Sequence, residues 1–549
     1  MNQETWHSLV PNYDIYDTNI NNFNELASFS FWSSQKRLAQ SLKVFASSHN
    51  ASQVCLVNAP DNPLYRTLIA EKLRAISDKP ALTTESCDLK TLLGSYVTSQ
   101  SGELVRYQPG LLKQAKDGIV VIPATLILKN SDNWCLIKAA LMQQELSPLN
   151  VSGKTLIAEP IIENCACTIV VVGDRNQLAD IDYIEPELLT GLGMFGELET
   201  EIALNSQSIL SYLEFVRWLI NQYQLPLLTH DGLHQLMAAG ARYTEDQGYM
   251  PLDVLWTRTL LSQAAEFVDQ SRINAQSIEL ALEHQRQREN YLPERALSDI
   301  LDGQVIIETK GERVGQVNGL TVIDVPGHPL SYGEPARISC VIHFGDGDIS
   351  DVERKAELGG NLHAKGMMIM QAFVSSALKL DEPLPYSASV VFEQSYCEVD
   401  GDSASLAELC SFVSALSEYP INQQIAVTGA VDQFGRVQAV GGLNEKIEGF
   451  FRVCQHQGFT GHQGVILPSA NLKHLALDKE VINSIKSGDF HIWSVSNVDE
   501  AIPLIMGKPF RDEDESSVIS KIAERIENYE KHEHPPTIVE RIKNLFVKH

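Results

Sequence analysis

The sequence predicts a multidomain α/β protein, in which a parallel-sheet α/β domain and a helical subdomain precede an α+β domain. Three observations lead to this prediction. The chain has 549 residues, which is too long for a single hydrophobic core. Strand and helix patterns alternate in the first third of the chain, and alternation at period two with glycine turns begins near residue 304.

The alternation of strand and helix patterns lies within residues 1–184. Short β-branched runs occur in "QVCLVNAP", "DGIVVIPATLIL" and "CTIVVVGD", and the helical patterns "LYRTLIAEKLRAI" and "CLIKAALMQQEL" lie between them. Strands that alternate with helices imply a parallel sheet covered by helices on both faces. We therefore expect a parallel-sheet α/β domain here.

The remaining chain divides into three further parts. Residues 185–303 are helical in pattern nearly throughout, as in "SILSYLEFVRWLINQY" and "LDVLWTRTLLSQAAEFVDQ", and predict a small helical subdomain. Residues 304–507 open with "QVIIETKGERVGQVNGLTVIDV", which alternates like a β-meander, and continue as an α+β region. Residues 508–549 are highly charged and predict a tail of one or two exposed amphipathic helices.

Composition excludes several classes of function. A formal net charge of −27 argues against nucleic acid as the main partner, because nucleic-acid-binding domains usually present a basic face. The longest nearly apolar run, "GIVVIPATLIL", has 11 residues, whereas a membrane-spanning helix needs about 20. The amino-terminal residues do not resemble a signal peptide, and the nine cysteines are scattered as expected for reduced thiols. We expect a cytoplasmic protein without membrane partners.

Ser403 lies in "EVDGDSASLAELC", between a predicted strand and a predicted helix. The helical spacing of the apolar residues after it places Ser403 in the first turn, with Asp400 and Asp402 around the cap. Unpaired amides at such a position could stabilise the oxyanion of a tetrahedral intermediate. The same residues are also what a simple helix cap requires, so this stretch alone leaves both interpretations open.

Lys446 lies in "AVGGLNEKIEGFF", which predicts a helix that begins after two glycines. Its position at 100° per residue is the margin of an apolar stripe that includes Leu443 and Ile447. Partial desolvation would lower the pKa of the ammonium group and make the lysine a possible general base for a serine. A lysine that extends its charged end into water is the alternative.

Two other candidates receive less weight. His363, in "GGNLHAKG", is a second possible base, although serine–lysine chemistry does not need it. The segment "DGDISDVERKAE" places oxygen-bearing side chains at several ligand positions of an EF-hand loop, but it lacks the glycine at position 6 that the loop requires. We do not expect this segment to bind calcium.

Taken together, these motifs resemble the proteolytic domain of the Lon protease family (peptidase family S16). The resemblance rests on "FEQSYCEVDGDSAS" and "AVTGAVDQFGRVQAVGGLNEKIEGFF", and extends over about 200 residues, from "VGQVNGLTVID" to "VDEAIPLIMG". It is closest to the branch that has "DGDSAS" and lacks a large amino-terminal substrate-binding domain. It implies that Ser403 is the nucleophile and Lys446 the general base, with Thr428 holding the lysine amine and Asp400 as an additional active-site acid.

In this family an AAA+ ATPase precedes the proteolytic domain, but the nucleotide motifs are degenerate here. The loop where a P-loop belongs, "NAPDNPLYRT", has neither glycine nor lysine, and Asp61 would repel phosphate. The strand "DGIVVIPATLIL" ends at Pro123 and Ala124, where a carboxylate for Mg²⁺ is expected. Asn176 or Asp174, after the third strand, and Arg258 could pass for nucleotide sensors. We therefore predict an AAA+-like fold with no bound cofactor, neither ATP–Mg²⁺ nor a metal.

The resulting expectation is a Lon-like serine endopeptidase with a serine–lysine dyad. By resemblance it would form a homo-hexamer, and it would cleave unfolded or damaged proteins and peptides in a ring-shaped chamber without its own ATP hydrolysis. Two alternatives remain. One is an ATP-dependent protease that uses a non-standard nucleotide site or an active AAA+ partner. The other is a non-enzymatic scaffold or holdase for unfolded chains, which the intact Ser403, Lys446 and Thr428 disfavour.

Overall fold

The structure is a computed structural model that describes residues 2–47, 53–86, 88–152, 161–269, 272–345, 347–379, 384–395, 400–512 and 516–533. Its strands, in chain order, are β1 Val54–Asn58, β2 Ala81–Thr83, β3 Gly94–Thr98, β4 Leu104–Pro109, β5 Ile119–Pro123, β6 Glu145–Leu146, β7 Leu149–Asn150, β8 Glu163–Asn164, β9 Thr168–Gly173, β10 Gly193–Glu197, β11 Glu201–Ala203, β12 Tyr249–Pro251, β13 Glu312–Arg313, β14 Gln316–Ile323, β15 Tyr332–Phe344, β16 Ile349–Asp351, β17 Tyr386–Glu393, β18 Ile421–Asn422, β19 Ile425–Val427, β20 Ala430–Val431, β21 Val437–Gln438, β22 Gln463–Pro468 and β23 Phe490–Val495.

Its α-helices, in chain order, are α1 Asp17–Asn21, α2 Lys36–Ser47, α3 Pro63–Ile76, α4 Leu89–Leu93, α5 Leu111–Gln114, α6 Ala124–Leu128, α7 Ser131–Leu141, α8 Arg175–Ile184, α9 Ser208–Tyr223, α10 His230–Thr244, α11 Val254–Ala265, α12 Ala275–Glu289, α13 Tyr291–Leu301, α14 Val352–Lys355, α15 Asn361–Ala377, α16 Ser405–Ser417, α17 Leu443–Gln457, α18 Lys479–Ser487, α19 Val498–Met506 and α20 Val518–Glu533.

The chain forms two compact units. One contains residues 25–223 and 252–254, and is called the α/β unit below. The other contains residues 1–24, 224–251 and 255–549, and is called the protease unit. The helices that the sequence assigns to one subdomain divide between the two, because α9 belongs to the α/β unit and α10, α12 and α13 to the protease unit. The four-part division drawn from the sequence stays a prediction.

The α/β unit is built on a five-stranded parallel sheet of order β10–β1–β9–β5–β2. Its strands carry nearly continuous apolar runs, and β1, β5 and β9 are buried along almost their whole length. Such runs are expected where helices cover both faces of a parallel sheet. The multidomain α/β fold class predicted from the sequence is confirmed.

The protease unit is built on a seven-stranded mixed sheet of order β16–β17–β15–β14–β19–β22–β23. β14, β15 and β17 form an antiparallel meander, and β14, β19, β22 and β23 run parallel to one another. Neighbouring residues of β22 point to opposite faces, so Ile466 packs in one apolar cluster with α16 and Val465 in another with α17. The helix that follows Ser403, α16, and the helix that contains Lys446, α17, therefore cover opposite faces of this sheet.

The carboxy-terminal tail was predicted to form exposed helices, but one face of its helix is buried. In α20, Val518 and Ile522 are fully buried, and they belong to the apolar cluster that contains α16. The Arg525 guanidinium donates to the main-chain oxygens of Ala415 and Leu416 at the end of α16. Residues 534–549 of the predicted tail lie outside the described residues.

Candidate active site

Ser403 lies in a turn just before α16 and is half-buried. The sequence prediction that it occupies the first helical turn is wrong by two residues, because the helix begins at Ser405 with Ala404 as its N-cap. The Ser405 hydroxyl accepts a hydrogen bond from the Val431 amide, and the Leu406 amide donates to the carbonyl of Gly429. These bonds hold the start of α16 against β20 and the residue before it. Ser403 therefore remains on the turn that precedes the helix.

Lys446 lies in the first turn of α17, and this helix begins where the sequence predicts it. Gly442 is the N-cap with φ of +64°, a left-handed conformation that glycine adopts without strain. A Cβ atom at Gly333 would come within 2.0 Å of the Glu445 carbonyl oxygen, so the backbone of β15 lies directly against this turn. Gly449, one turn later, makes an equally close approach to the Gly333 carbonyl. The start of α17 is therefore fixed by main-chain packing.

Thr428 directly follows the last residue of β19 and is fully buried. Its amide donates to the carbonyl of Ile466, and its hydroxyl donates to the Ser403 carbonyl with 3.3 Å between the oxygens. The next amide, of Gly429, also donates to the Ser403 carbonyl, at 2.8 Å. The carboxyl end of β19 therefore holds the main chain of Ser403.

Three side chains predicted from distant parts of the sequence meet at this point. Lys446 Nζ is 3.1 Å from Ser403 Oγ and 3.4 Å from Thr428 Oγ1. The first distance permits proton transfer between the lysine and the serine hydroxyl. The second distance lets Thr428 restrict where the amine can lie.

The charge state of Lys446 is set by its burial. The side chain is only 3% exposed, and desolvation lowers the pKa of the ammonium group from 10.5 to about 8. The negative charge of Asp402 acts in the opposite direction and raises the pKa. With this pKa, about a tenth of the amine is neutral at pH 7 and about half at pH 8.

Asp400 is exposed, and its carboxylate accepts a hydrogen bond from the Leu362 amide in the first turn of α15. A Cβ atom at Gly360 would lie 2.2 Å from Asp400 Oδ1, so the two segments are in close contact. The carboxylate that acts on the charge of Lys446 is instead that of Asp402. The sequence indicated Asp402 only as part of a helix cap, and its role depends on a contact that spacing does not reveal.

His363, the second candidate base, lies in another cluster. The imidazole ring is buried, with Nε2 3.2 Å from Asp351 Oδ2 and Nδ1 3.5 Å from Glu408 Oε1. The ring therefore lies between two carboxylates.

Comparisons with known proteins show the family of the chain. A family described as the Lon protease (S16) C-terminal proteolytic domain matches residues 390–508, which contain all four predicted site residues. The "Putative Lon protease homolog" of Escherichia coli (strain K12) is 38% identical over 566 residues, covering 95% of this chain and 94% of that protein. The chain belongs to the Lon protease family. It is therefore a peptidase, and its proteolytic domain is of the Lon type.

Other relatives agree with this assignment. The "Putative Lon protease homolog" of Haemophilus influenzae is also 38% identical, over 80% of this chain and 73% of that protein. The "Archaeal Lon protease" of Pyrococcus abyssi is 26% identical, over 81% of this chain and 43% of that protein. A family described as the LonB-like AAA domain matches residues 79–191, so the Lon-family chain carries an AAA-like domain in its α/β unit.

In the α/β unit, charged side chains of α3 and of the loop between β1 and α3 bond to one another. Asp61 accepts hydrogen bonds from the Arg66 guanidinium at 2.6 Å and from Gln177 Nε2 at 2.8 Å. Arg66 also forms a bidentate ion pair with Glu85 and is almost fully buried. Burial opposes the charge on Asp61, but the bonds from Gln177 and Arg66 hold the pKa of its carboxyl below the ordinary value. Asp61 in this loop is thus paired with the charged guanidinium of Arg66 in α3.

Over the part of the chain that the structure describes, no helix combines the length with the apolarity that crossing a bilayer requires.

Proposed function

We propose that this Lon-family peptidase is a serine-type endopeptidase with Ser403 as nucleophile and Lys446 as general base. The observation that carries the proposal is the 3.1 Å distance between Lys446 Nζ and Ser403 Oγ, at a position where burial lowers the pKa of the lysine to about 8. A buried amine with that pKa accepts a proton readily near neutral pH.

The proposed reaction uses these two groups in sequence. The neutral amine of Lys446 takes the hydroxyl proton as Ser403 Oγ attacks the peptide carbonyl, and the resulting ammonium gives this proton to the leaving amine. Water then attacks the acyl-enzyme ester, with the amine as base again, and releases the new carboxyl terminus. The nearby Asp402 charge favours the transient ammonium.

The oxyanion would be stabilised by main-chain amides on the turn. The amides of Ser405 and Leu406 are already bonded, to the carbonyls of Asp402 and Gly429. They are therefore poor candidates for the oxyanion hole, because a donor in use would have to exchange partners during the reaction. We assign the oxyanion hole to amides that precede Ser405, at Ser403 and Ala404.

We further propose that cleavage does not depend on ATP hydrolysis by this chain. The loop between β1 and α3 has no glycine to bring amides close to phosphates, and its charged Asp61 would repel them. Arg66, the cation that follows this loop in α3, is already paired with Asp61 and Glu85. The substrates would be unfolded or damaged proteins and peptides that diffuse to the site, in a homo-hexameric chamber in the cytoplasm. The free cysteine thiols, among them Cys55 and Cys454, are compatible with that reducing compartment.

The test is cleavage of fluorescently labelled casein by the full chain, with and without ATP–Mg²⁺. Ser403→Ala and Lys446→Ala are expected to abolish cleavage. Ser487→Ala and Lys473→Ala, which alter exposed residues of the same types, serve as matched controls and should cleave normally. Equal rates with and without nucleotide would support the motor-independent protease.

The two alternatives predict different results. Cleavage only with ATP–Mg²⁺ would favour a non-standard nucleotide site, and cleavage only after addition of an AAA+ protein would favour a partner. Absence of cleavage under all conditions, together with prevention of casein aggregation, would indicate a holdase.

A further inference from the structure

A second group of ionisable side chains lies beneath the turn that carries Ser403. Asp351 and Glu353 flank the start of α14, His363 lies in the first turn of α15, and Glu408 lies in α16. All four residues are at least nine-tenths buried. The reaction proposed above uses none of them.

Three atoms of this cluster lack a hydrogen-bond partner among the described residues. They are Asp351 Oδ2, His363 Nε2 and Glu408 Oε1. Asp351 Oδ2 and His363 Nε2 are 3.2 Å apart, but they are too poorly aligned for a hydrogen bond. Buried polar atoms without partners are rare in proteins, because each loses its hydration without compensation. A proton on the imidazole ring or a bound cation can bridge these two atoms.

The other contacts fix the carboxylates in place. Asp351 Oδ1 accepts a hydrogen bond from the Arg354 amide at 3.2 Å, which leaves Oδ2 directed to the cluster. Glu353 Oε1 accepts one from the Phe392 amide at 2.8 Å. Each carboxylate is thus held by a main-chain donor on one oxygen.

The distances agree with the ligands of one metal ion. One oxygen each of Asp351 and Glu353 and one ring nitrogen of His363 lie within 4.8 Å of one another. Two ligands about 2.1 Å from a tetrahedral zinc ion are about 3.4 Å apart, close to the distance between Asp351 Oδ2 and His363 Nε2.

Glu408 completes the pattern from the other side of the ring. Its Oε1 is 3.5 Å from His363 Nδ1, so it can accept the Nδ1 proton while Nε2 faces Asp351 Oδ2. Metal-binding histidines commonly donate their second nitrogen to a carboxylate in this way.

We propose that Asp351, Glu353 and His363 bind a divalent transition-metal ion of the zinc class, with Glu408 orienting the histidine. Imidazole with two carboxylates suits zinc, manganese or iron better than magnesium, which prefers oxygen ligands alone. The ion would be structural. It would join α14, α15 and α16, and α15 in turn contacts the turn through the Leu362 amide on Asp400 and through Gly366 against Asp402. The inference is independent of the proposed catalytic roles.

The first experiment measures metal content by mass spectrometry. The full chain is produced without a metal-affinity tag in medium that contains zinc, manganese and iron. We expect about one zinc ion per chain in the wild type. Less than about 0.1 transition-metal ion per chain, with no rebinding to chelator-treated protein, would overturn the proposal and leave His363 as a buried imidazolium between Asp351 and Glu408.

Variants then assign the site. Glu353→Gln should lose the bound zinc, and Glu408→Gln should weaken zinc binding about 10–100-fold while retaining the site. His234→Gln is the matched control, because His234 belongs to a more exposed group with Asp17 and His230. Zinc lost in His234→Gln but retained in Glu353→Gln would contradict the assignment.

A thermal readout does not require the variants to fold. Zinc added to chelator-treated wild-type protein should raise the midpoint of unfolding by about 2 °C or more, and magnesium at the same concentration should not. An equal response to both ions would contradict a transition-metal site. Casein cleavage by the same samples is recorded separately, so that loss of activity with metal retained would count against the catalytic roles alone.

Discussion

Lys446 combines two properties that oppose each other: it is almost fully buried, and it belongs to a residue type that is normally charged. Burial lowers the pKa of its ammonium group to about 8. If the neutral amine is the base, the rate of casein cleavage should rise about tenfold per pH unit below pH 8 and level off above it. Initial rates between pH 6 and pH 10 measure this. A rate that stays constant from pH 6 to pH 9 would exclude Lys446 as the titrating base.

The same burial has a cost in stability. The pKa of Lys446 falls from 10.5 to about 8 on folding, so between these pH values the unfolded chain binds a proton that the folded chain does not. Stability therefore increases with pH across this window, and below pH 8 the lysine destabilises the fold by about 3 kcal/mol at most.

Replacement by an apolar residue of similar length should remove that cost. We expect Lys446→Met to raise the free energy of unfolding by about 1–3 kcal/mol at pH 7, and by much less at pH 10. Urea denaturation at the two pH values measures the difference. Lys473→Met, at a side chain that is 63% exposed, is the control and should change neither value. A destabilised Lys446→Met at pH 7 would show that the lysine is better solvated than its burial indicates.

Thr428 contributes a hydroxyl between the lysine amine and the Ser403 carbonyl. Thr428→Val keeps the shape and removes the hydroxyl, so the amine should lose its restraint. We expect kcat/KM for a casein-derived peptide to fall about 10–100-fold, with stability reduced by about 1 kcal/mol. Thr428→Ser should restore most of the activity. Equal activities of the valine and serine variants would mean that packing, and not the hydroxyl, is what matters.

At the scale of secondary structure, α17 is the element that carries the proposed base, and both of its sides are fixed. The close contact between Gly333 and Gly449 fixes one side. On the other, the Arg242 guanidinium of α10 pairs with Glu445 at 2.9 Å and with Glu448 at 2.5 Å. The two glutamates lie on either side of Lys446 in sequence. The positive charge of Arg242 thus compensates the negative charges of these two glutamates on α17.

Arg242→Met should therefore destabilise the protein by about 2–4 kcal/mol, because it removes the cation that pairs with the buried Glu448 and the partly buried Glu445. The combination with Glu445→Gln and Glu448→Gln should recover most of this loss. Arg286→Met, which removes a more exposed pair with Asp478, is the matched control and should cost less than about 1 kcal/mol. Thermal and urea unfolding measure all of these variants. If the glutamine variants do not restore the stability that Arg242→Met loses, the loss is due to packing and not to charge.

The elements also show how far sequence reasoning reaches. The start of α17 was predictable because two glycines precede a clear apolar stripe. The start of α16 was misplaced by two residues, because the bond between Ser405 and Val431 joins segments far apart in sequence. The burial of α20 was missed because its charged residues mask the few apolar ones that enter the core. The cluster around His363 was missed because its members come from three separate segments, and spacing alone does not bring them together.

At the scale of the whole molecule, the high negative charge bears on the proposed assembly. Six copies of a chain with a net charge of −27 repel one another, and dissolved salt screens this repulsion within about 10 Å at 0.1 M ionic strength. If apolar contacts hold the hexamer, its population should increase when sodium chloride is raised from about 20 mM to about 300 mM.

Sedimentation velocity at micromolar protein distinguishes the species, because the hexamer has six times the 60.9 kDa mass of the chain. A hexamer that dissociates as salt is added would instead assign its contacts to ion pairs between chains. A chain that remains monomeric at every salt concentration and still cleaves casein would show that Ser403, Lys446 and Thr428 suffice within one subunit. The proposed chamber would then have no part in the reaction, and selection for unfolded substrates would have to come from the site itself.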